Sequence, residues 1–535
     1  MKKLTKYSLY TALFFCGISC AFSNVIPEEI GAKQLKQKVA IFNADDYEIY
    51  KNDIPNVNAA SFLLKNIPIF DCPDEELKSV YYFRWWTFRK HLKKYDKVGW
   101  IISEFLPRVD WGGKYNAIPC PSGLQLREAR WLKDASIAHD YENHWCFFAK
   151  NGRSYSSWFA TSALDVYAND GNLEALRKWY PQLKKNFHEW EKKHYNQEKG
   201  LFWQVDAWDG MECSASGQLH MHWRGYRATI TSYMASECLS LAKIAKMIGK
   251  DEEAQLYQQK GDMLKENLNK KLWDKSAQFY MVLPQNGSAD IFSPHRELHG
   301  YTPWYFGLAP KEYAIAWKQV LDEKGFKAPF GLTSLERRSP LFQINYVGHE
   351  CQWNGPVWPY ATSITLSAMA NFLRDNEDTD IISKKDFYEA LHTYAKSHHR
   401  VREDGKRVFW IDENIHPFTG DWISRTRLKK WTNGTWYHKW VERGKDYNHS
   451  FFAELIIRDI IGILPNGTRE FEISPLAPDN WKFFGIDGVR ILDKTISVLW
   501  DKDGSRYGKG KGFIVFVNGK EILRKEKPQK IKVSL

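Results

Sequence analysis

Apolar residues recur every three to four positions between residues 76 and 465, which is the spacing of amphipathic helices. This pattern predicts about twelve helices. The clearest of them span residues 76–94, 155–167, 173–195, 226–248, 252–272, 360–373, 385–398 and 451–463. Long loops rich in Gly, Pro, Trp and Asn separate them. Residues 24–75 have no comparable pattern, so they are expected to form an irregular N-terminal lead-in.

Beyond residue 466 the pattern changes to that of strands. Apolar and polar residues alternate in part over residues 489–500, and residues 513–517 form a run of Phe, Ile and Val. Asn518 and Gly519 follow directly, and Asn-Gly between two strands is a strong signal for a hairpin. The chain is therefore predicted to consist of a helical domain over residues 76–465 and a small β module over residues 466–535.

The first 23 residues have the pattern of a secretory signal. Three early lysines precede an apolar run over residues 7–19, which is too short to span a bilayer. Cleavage after residues 21–23 (AFS) is one possible end, and lipidation of Cys20 in an imperfect lipobox is the other. The protein is thus expected to be exported by a bacterium, as a periplasmic, outer-membrane lipoprotein or secreted form. No later stretch is predicted to cross a membrane.

Composition agrees with a soluble globular protein but has one unusual feature. Of the 535 residues 43% are hydrophobic, whereas aromatic residues reach 15% and include 24 Trp. Sugars stack on aromatic rings, although bulky contacts between helices also use them. The formal net charge is +12, and the basic residues are dispersed rather than concentrated on one element. This disfavours a nucleic-acid partner and leaves an anionic glycan substrate possible.

The cysteines predict neither a metal site nor a dense set of disulfides. None of the eight lies in a CxxC pair, and the six that follow the signal are widely spaced. One or two bridges are possible in an oxidising compartment. Free thiols are the simpler expectation, and no metal or organic cofactor is predicted.

Two stretches about two hundred residues apart each place carboxylates among tryptophans. Residues 205–212 read VDAWDGME, and residues 410–414 read WIDEN. Glycoside hydrolysis needs two carboxyl groups, one to protonate the departing oxygen and one to activate water or attack the sugar. Tryptophan beside them offers a flat apolar face and a low polarity that raises the pKa of an acid. The pair indicates glycoside hydrolysis, and solvated surface loops are the alternative.

Four motifs, in matching order, resemble the six-hairpin (α/α)6 glycoside hydrolases. This group includes trehalase, the processing α-glucosidases and mannosylglycerate-hydrolase-like proteins. The motifs are residues 126–134 (LREARWLKD), 210–214 (GMECS), 352–359 (QWNGPVWP) and 413–420 (ENIHPFTG). The resemblance covers about residues 76–465 and implies a mainly α protein built as an (α/α)6 toroid. The β module resembles those appended to rhamnosidase-like members of the same architecture.

The same resemblance implies the catalytic residues. Glu212 stands at the position of the general acid and Glu413 at that of the general base of an inverting mechanism. Asp209 is the alternative acid, and Asp412 and Asp421 are alternative bases. The acid position carries Glu where the family has Asp, which argues against trehalose and leaves the sugar open.

Other residues are expected to line the sugar pocket or to hold sugar hydroxyls. They are Arg127, Glu128, Trp131, Asp134, Trp208, Arg337, Trp353, Asn354, Trp358 and His449. Alternative roles are helix packing for the tryptophans, a buried ion-pair network for the charged residues of 127–134, and a surface position for Arg337.

Two other functions remain open at this point. A polysaccharide lyase acting on a uronate-containing glycan would need a Tyr or His base and a group that neutralises the carboxylate; Tyr447, Asn448 and His449 offer such a set. A lyase gives a product that absorbs ultraviolet light, whereas a hydrolase gives reducing sugar. The second alternative is a non-catalytic glycan-binding lipoprotein, whose function would not depend on Glu212 or Glu413.

Overall fold

A computed structural model describes most of the chain. The described residues are 25–285, 290–347, 349–376, 379–431 and 442–535. The predicted signal sequence and Cys20 lie outside these ranges, so export and lipidation stay predictions. Within them, no helix combines the length and the apolar character needed to cross a membrane.

Helices dominate the region before residue 460. In the described ranges the α-helices are α1 (Ala32–Ala44), α2 (Ala59–Asn66), α3 (Glu75–Lys90), α4 (Ser122–Ala129), α5 (Ser136–Asn143), α6 (Phe159–Asp170), α7 (Leu173–His194), α8 (Ala228–Met247), α9 (Asp251–Lys271), α10 (Thr302–Tyr305), α11 (Lys318–Leu321), α12 (Pro359–Asp375), α13 (Lys384–Ser397) and α14 (Ile423–Trp431). Two π-helical turns occur at His144–Phe148 and Leu455–Ile460. The predicted helix-rich body with a β portion is confirmed.

Some predicted helix bounds differ from the observed ones for local reasons. Helix α3 begins after Asp74, whose side chain accepts hydrogen bonds from two backbone N–H groups of the first turn. It ends at Lys90, four residues early, because the chain turns into the hairpin of the strands Leu92–Tyr95 and Gly99–Ile102. The helix predicted at 451 forms mainly the π-turn Leu455–Ile460.

A series of helices makes successive contacts. Helix α4 packs on α6, α6 on α8, α8 on α10, and α10 on α12. Helix α12 then contacts the π-turn Leu455–Ile460, and the backbone N–H groups just before that turn donate to Glu128 of α4. Helices α5, α7, α9 and α13 pack against members of this series. The contacts thus return to the helix at which they begin.

The strands form one large sheet and several small ones. In the described ranges they are β1 (Ile69–Asp71), β2 (Leu92–Tyr95), β3 (Gly99–Ile102), β4 (Tyr195–Asn196), β5 (Leu201–Val205), β6 (Arg224–Tyr226), β7 (Trp273–Asp274), β8 (Phe279–Tyr280), β9 (Leu283–Pro284), β10 (Lys327–Ala328), β11 (Gly331–Leu332), β12 (His399–Val401), β13 (Arg407–Phe409), β14 (Ile463–Leu464), β15 (Glu470–Ile473), β16 (Phe483–Ile491), β17 (Lys494–Asp501), β18 (Gly512–Val517), β19 (Lys520–Lys525) and β20 (Ile531–Ser534). The largest sheet is antiparallel and has the order β1-β16-β17-β18-β19.

The predicted hairpin at Asn518-Gly519 is confirmed, since Val517 pairs with Lys520 across it. Both turn residues have positive φ, 50° and 77°, as a tight hairpin turn requires. The expectation of an irregular lead-in is wrong in part, because residues 25–75 contain α1, α2 and β1. Strand β1 joins the edge of the C-terminal sheet, with Ile69 opposite Asp487. The exact domain boundaries stay a prediction.

One hydrophobic core joins the helices to the C-terminal sheet. Buried side chains of the sheet, such as Ile486 and Val498, belong to the same cluster as Trp85 and Trp131 of the helical region. The six cysteines in the described part of the chain are free thiols, as expected, although only Cys72 and Cys238 are fully buried.

Candidate active site

Glu212 and Glu413 line one cavity of about 470 Å³. The two loops that carry them are two hundred residues apart in the chain, and the fold brings them to the same space. The other residues that line it include Glu104, Phe105, Trp111, Cys120, Tyr155, Met221, His349, Glu350, Cys351, Trp353, Trp358, Tyr360, Arg443, Tyr447 and His449. The expected meeting of the two carboxyl groups is confirmed; their catalytic roles are considered below.

Buried carboxylates hold the loop that carries Glu212. Asp206 pairs with the guanidinium of Arg227 and accepts a hydrogen bond of 2.8 Å from Ser214 Oγ. Glu297 accepts hydrogen bonds of 2.9 and 3.3 Å from the backbone N–H groups of the two residues after Ser214. All these charged side chains are at most 2% exposed. The loop is therefore fixed on both sides of Glu212, which reduces the cost of orienting its carboxyl group.

Glu212 has the properties of a proton donor. Its pKa is raised to about 8, mainly by burial and in addition by the negative charges of Glu413 and Glu350. Its backbone carbonyl accepts a hydrogen bond of 3.1 Å from the N–H of Trp353. At neutral pH the carboxyl group keeps its proton and faces the cavity, as a general acid must.

The loop that carries Glu413 is attached to the tryptophan motif. Val357 and Ile415 exchange two backbone hydrogen bonds of 2.9 Å each. The side-chain amide of Asn414 donates to the carbonyl of Glu350 at 2.8 Å. These bonds hold the loop so that the Glu413 side chain lies in the wall of the cavity.

Arg443 stabilises the negative charge of Glu413. Its Nη2 lies 2.6 Å from Glu413 Oε1, and its Nη1 lies 3.0 Å from Glu350 Oε1. The other oxygen of Glu413 accepts a hydrogen bond of 3.2 Å from the Cys351 thiol. Glu413 is only 1% exposed, so the ion pair is the main compensation for its buried charge. A carboxylate held in this way can accept a proton from water.

Two predicted tryptophans form a wall of the cavity. The rings of Trp353 and Trp358 stack with centroids 4.5 Å apart and an angle of 6° between their planes. His449 lies 5.9 Å from the ring of Trp358, and neither of its ring nitrogens has a hydrogen-bond partner among the described residues. Burial lowers the pKa of His449 well below its ordinary value, so the ring is neutral. It offers one donor and one acceptor for sugar hydroxyls.

Asp209 and Trp208 lie in the acid loop but do not line the cavity. Thr229 Oγ1 donates to the buried carboxyl group of Asp209, whose pKa burial raises. The Trp208 side chain is 48% exposed to solvent. The turn at Gly210, with φ of 75°, separates both residues from Glu212. Neither residue lines this cavity, and their expected roles as alternative acid and sugar contact stay predictions.

The four residues predicted from the 126–134 motif are not at the cavity either. Arg127 bonds Asp165 at 2.7 Å, and Glu128 accepts two backbone N–H groups at 3.0 and 2.8 Å. Trp131 Nε1 donates to Glu454 at 2.6 Å. Asp134 is exposed and bonds the hydroxyl of Ser136 at 2.6 Å. Arg127 and Glu128 of α4, and Trp131 just after it, thus bond neighbouring parts of the fold, and none of the four lines this cavity; their sugar contacts stay a prediction.

Two further residues predicted to contact sugar, Asn354 and Arg337, do not line the cavity. Asn354 is 2% exposed, and its side-chain amide donates to the carbonyl of Leu341 at 3.1 Å. It therefore supports the loop that precedes the tryptophan motif. Arg337 donates to the carbonyl of Lys327 at 2.8 Å and lies over the ring of Phe418 at the surface.

Two further carboxyl groups of the cavity, those of Glu350 and Glu104, were not predicted. Glu104 is 5% exposed and accepts a hydrogen bond from the phenol of Tyr447. Burial raises the pKa of Glu104 to about 8, and the charges of Glu413 and Glu212 act in the same direction. It follows strand β3 in the segment SEFLPRVD, which contains no motif. Sequence spacing offers no signal for Glu104 or for Arg443, since their partners are distant along the chain.

The raised pKa of Glu104 predicts a pH-dependent stability. The carboxyl group titrates near 4.5 in the unfolded chain and near 8 in the folded protein, so folding takes up a proton between these values. The free energy of unfolding should fall as pH rises through this window, by up to about 1.4 kcal/mol per pH unit from this group. Glu104→Gln should remove that part of the slope, as measured by urea unfolding between about pH 5 and 8. The exposed Glu28→Gln serves as the control, and equal slopes in both variants would refute the assignment.

Comparison with solved structures supports the fold. A chain named "Sialidase" is 33% identical with a TM-score of 0.85; the match covers 95% of this chain and 45% of that chain. An α-L-rhamnosidase from Dictyoglumus thermophilum is 15% identical with a TM-score of 0.52, covering 86% of this chain and 45% of that one. Because the identity to the rhamnosidase is only 15%, that similarity shows a common fold and nothing about function.

One relative and one family model indicate to which class of protein this chain belongs. A probable mannosyl-oligosaccharide glucosidase of Schizosaccharomyces pombe is 25% identical over 281 residues, which are 48% of this chain and 32% of that protein. This chain thus spans about a third of that relative. The model of the mannosylglycerate hydrolase MGH1-like glycoside hydrolase domain matches residues 114–450, which include Glu212 and Glu413. The chain belongs to the family of mannosylglycerate hydrolase MGH1-like glycoside hydrolase domains.

Proposed function

We propose that this protein hydrolyses a neutral glycoside by an inverting mechanism, with Glu212 as general acid and Glu413 as general base. One observation carries the proposal: a protonated and a charge-stabilised carboxyl group line the same cavity beside two stacked tryptophans. Glu212 would protonate the departing oxygen while Glu413 removes a proton from the attacking water. The glycosidic bond breaks while the bond between the sugar and the oxygen of water forms, in a single displacement.

The preference for a neutral sugar follows from the charges of the cavity. Among the described residues that line it, Arg443 is the one guanidinium, no lysine occurs, and four glutamates are present. Arg443 already bonds Glu413 and Glu350. A sugar carboxylate would therefore meet negative charge without a cation to compensate it. Sialosides and uronates are expected to be poor substrates, although one structural relative carries the name sialidase.

Glu104 would select the sugar through its neutral form. With a pKa of about 8, its carboxyl group carries a proton at neutral pH and can donate a hydrogen bond to a hydroxyl group. Tyr447 keeps the other oxygen of Glu104 engaged. His449 would contact a second hydroxyl group.

The arrangement of the helices supports an (α/α)6 toroid around this cavity. Helices α4, α6, α8, α10 and α12 and the segment before Ile460 would form the inner ring, since each contacts the next and the last bonds the first. Helices α5, α7, α9, α13 and α3 would belong to the outer ring. The two catalytic loops would then project at one end of the toroid, where binding residues on a rigid scaffold commonly lie.

The geometry favours hydrolysis over the lyase alternative. The phenol of Tyr447 donates a hydrogen bond to Glu104. Asn448 accepts one from Arg84 at 3.3 Å and donates one to the carbonyl of Ser103 at 3.3 Å. Neither side chain is positioned to remove a proton from a uronate. Arg443, which could pair with the uronate carboxylate, already bonds Glu413 and Glu350.

A glycoside panel followed by proton NMR tests the proposal. We expect turnover of a neutral glycoside, with the first-formed sugar in the anomer opposite to that of the substrate. Retention of the anomer would contradict the single displacement. An ultraviolet-absorbing product would indicate a lyase, preferred cleavage of sialosides would refute the neutral-sugar assignment, and no turnover at all would favour the glycan-binding function.

A further inference from the structure

A second, larger cavity lies in the C-terminal region and shares no lining residue with the catalytic cavity. Its volume is about 1080 Å³. Residues of β16 to β19, the loop 475–479 and the first residue of α13 line it, together with the segment 526–528. We call it the basic groove. It is formed where the β sheet meets the helical body.

The basic groove is rich in positive charge. Six basic side chains line it, all of them exposed, against two acidic ones. The basic residues are Lys384, Lys502, Lys511, Arg524, Lys525 and Lys527, and the acidic residues are Asp479 and Glu526. No ion pair involves the five lysines within the described part of the chain, whereas Arg524 pairs with Glu521 at 2.5 Å. The groove is therefore a concave surface with uncompensated cations.

The groove is also built on a rigid base. Arg524 donates to the carbonyls of Lys511 and Lys509 at 2.6 and 2.9 Å, which joins β19 to the loop before β18. Trp500 Nε1 donates to the carbonyl of Trp481 at 2.9 Å beneath it. The backbone segments that carry Lys511 and Lys525 are thus held together. Mutual repulsion of cations crowded into one groove is relieved when an anionic ligand binds.

The basic groove, which concentrates positive charge, lies apart from the catalytic cavity. The net charge of +12 suggests an acidic partner, yet the catalytic cavity is lined by carboxylates. We infer that the basic groove binds an anionic polysaccharide carrying sulfate or carboxylate groups, at a site distinct from the one that cleaves a glycosidic bond. This inference goes beyond the proposed catalytic function and does not depend on turnover.

The buried aromatic rings of the basic groove disfavour a single-stranded nucleic acid as its ligand. Proteins that bind single-stranded nucleic acids stack the bases on exposed aromatic rings. In the basic groove the aromatic side chains are Phe484 and Trp500, which are 1% and 8% exposed. No open ring face is available for a base among the described lining residues. The same burial removes stacking on a sugar ring, so recognition would rest on charge, which sulfate or carboxylate groups along a sugar chain supply.

Binding to defined polymers tests this inference. Heparin would report sulfate groups, polygalacturonate carboxylate groups, dextran a neutral chain, and oligodeoxythymidylate a single-stranded nucleic acid. We expect the full-length protein to bind heparin or polygalacturonate more tightly than the other two. Affinity should fall steeply between about 50 and 200 mM salt, because a polyanion releases counterions on binding.

The variant K502A/K511A/K525A should bind the preferred polymer about tenfold more weakly or worse. The matched control is K36A/K65A/K275A, which removes three exposed lysines that line neither cavity and form no ion pair among the described residues. Cleavage of a small soluble glycoside should be unchanged in both variants, which also verifies folding. The inference is overturned by equal binding of the two triple variants, by tighter lysine-dependent binding of the oligonucleotide, or by no binding to either polyanion at low salt.

Discussion

Glu413→Gln is expected to lower kcat for glycoside hydrolysis by about 10²–10⁴-fold. The amide has nearly the shape of the carboxylate but cannot accept a proton from the attacking water. Arg443 keeps its contact of 3.0 Å with Glu350, so one partner of its buried charge remains. The loop is also held by the Val357–Ile415 backbone bonds. Steady-state kinetics on a substrate found with the glycoside panel, with thermal unfolding of both proteins, measures the effect.

Asp421→Asn is the matched control for this experiment. Asp421 lies in the same turn and accepts a hydrogen bond of 2.8 Å from the phenol of Tyr346, outside the cavity. Its loss should leave kcat close to that of the wild type. A Glu413→Gln enzyme with unchanged kcat, or an equal loss in Asp421→Asn, would remove Glu413 from the role of base.

Glu212→Gln should have an effect that depends on the leaving group. For a natural glycoside, whose departing oxygen needs a proton, kcat should fall by about 10²–10⁴-fold. For an aryl glycoside with a strongly acidic phenol, the loss should be far smaller, because the bond breaks without protonation. In the wild type, kcat/KM for the natural substrate should decline as pH rises through about 8, since Glu212 then loses its proton.

The leaving-group pattern identifies the acid better than the pH profile does. Glu104 also has a pKa of about 8, so the two groups titrate together and the alkaline decline belongs to both. Asp209→Asn is the control, because Asp209 lies in the same loop against Thr229 but outside the cavity. If Asp209→Asn shows the leaving-group dependence and Glu212→Gln does not, the assignment of the acid is wrong.

Local chemistry made several features predictable. Helical periodicity located most of the long helices, since the side chains of each had to face the core at a fixed spacing. The Asn518-Gly519 turn located a hairpin, because few residues adopt its positive φ angles. The two carboxylate stretches and the tryptophan motif identified Glu212, Glu413, Trp353 and Trp358 as residues of one site, and all four line the cavity, as does His449, which was expected there separately.

The predicted sugar contacts that lie outside the cavity have a common physical explanation. Arg127, Glu128 and Asp134 resemble sugar-binding residues in type and order, but charged side chains of this kind also hold buried backbone together. Glu128 accepts N–H groups more than three hundred positions away, at the turn before Leu455. Sequence spacing cannot distinguish the two uses, because the choice depends on what packs against the side chain.

Most of the long helices, the C-terminal strands with their turn and the loops that carry the two carboxyl groups follow from residues a few positions apart, so they were predictable. Which polar groups meet depends instead on the packing of distant segments. Glu104 reaches Tyr447 across 343 positions, and Arg443 reaches Glu350 across 93. The tertiary structure also separated an acidic catalytic cavity from a basic groove, which a net charge of +12 cannot reveal, since a sum over residues contains no positions.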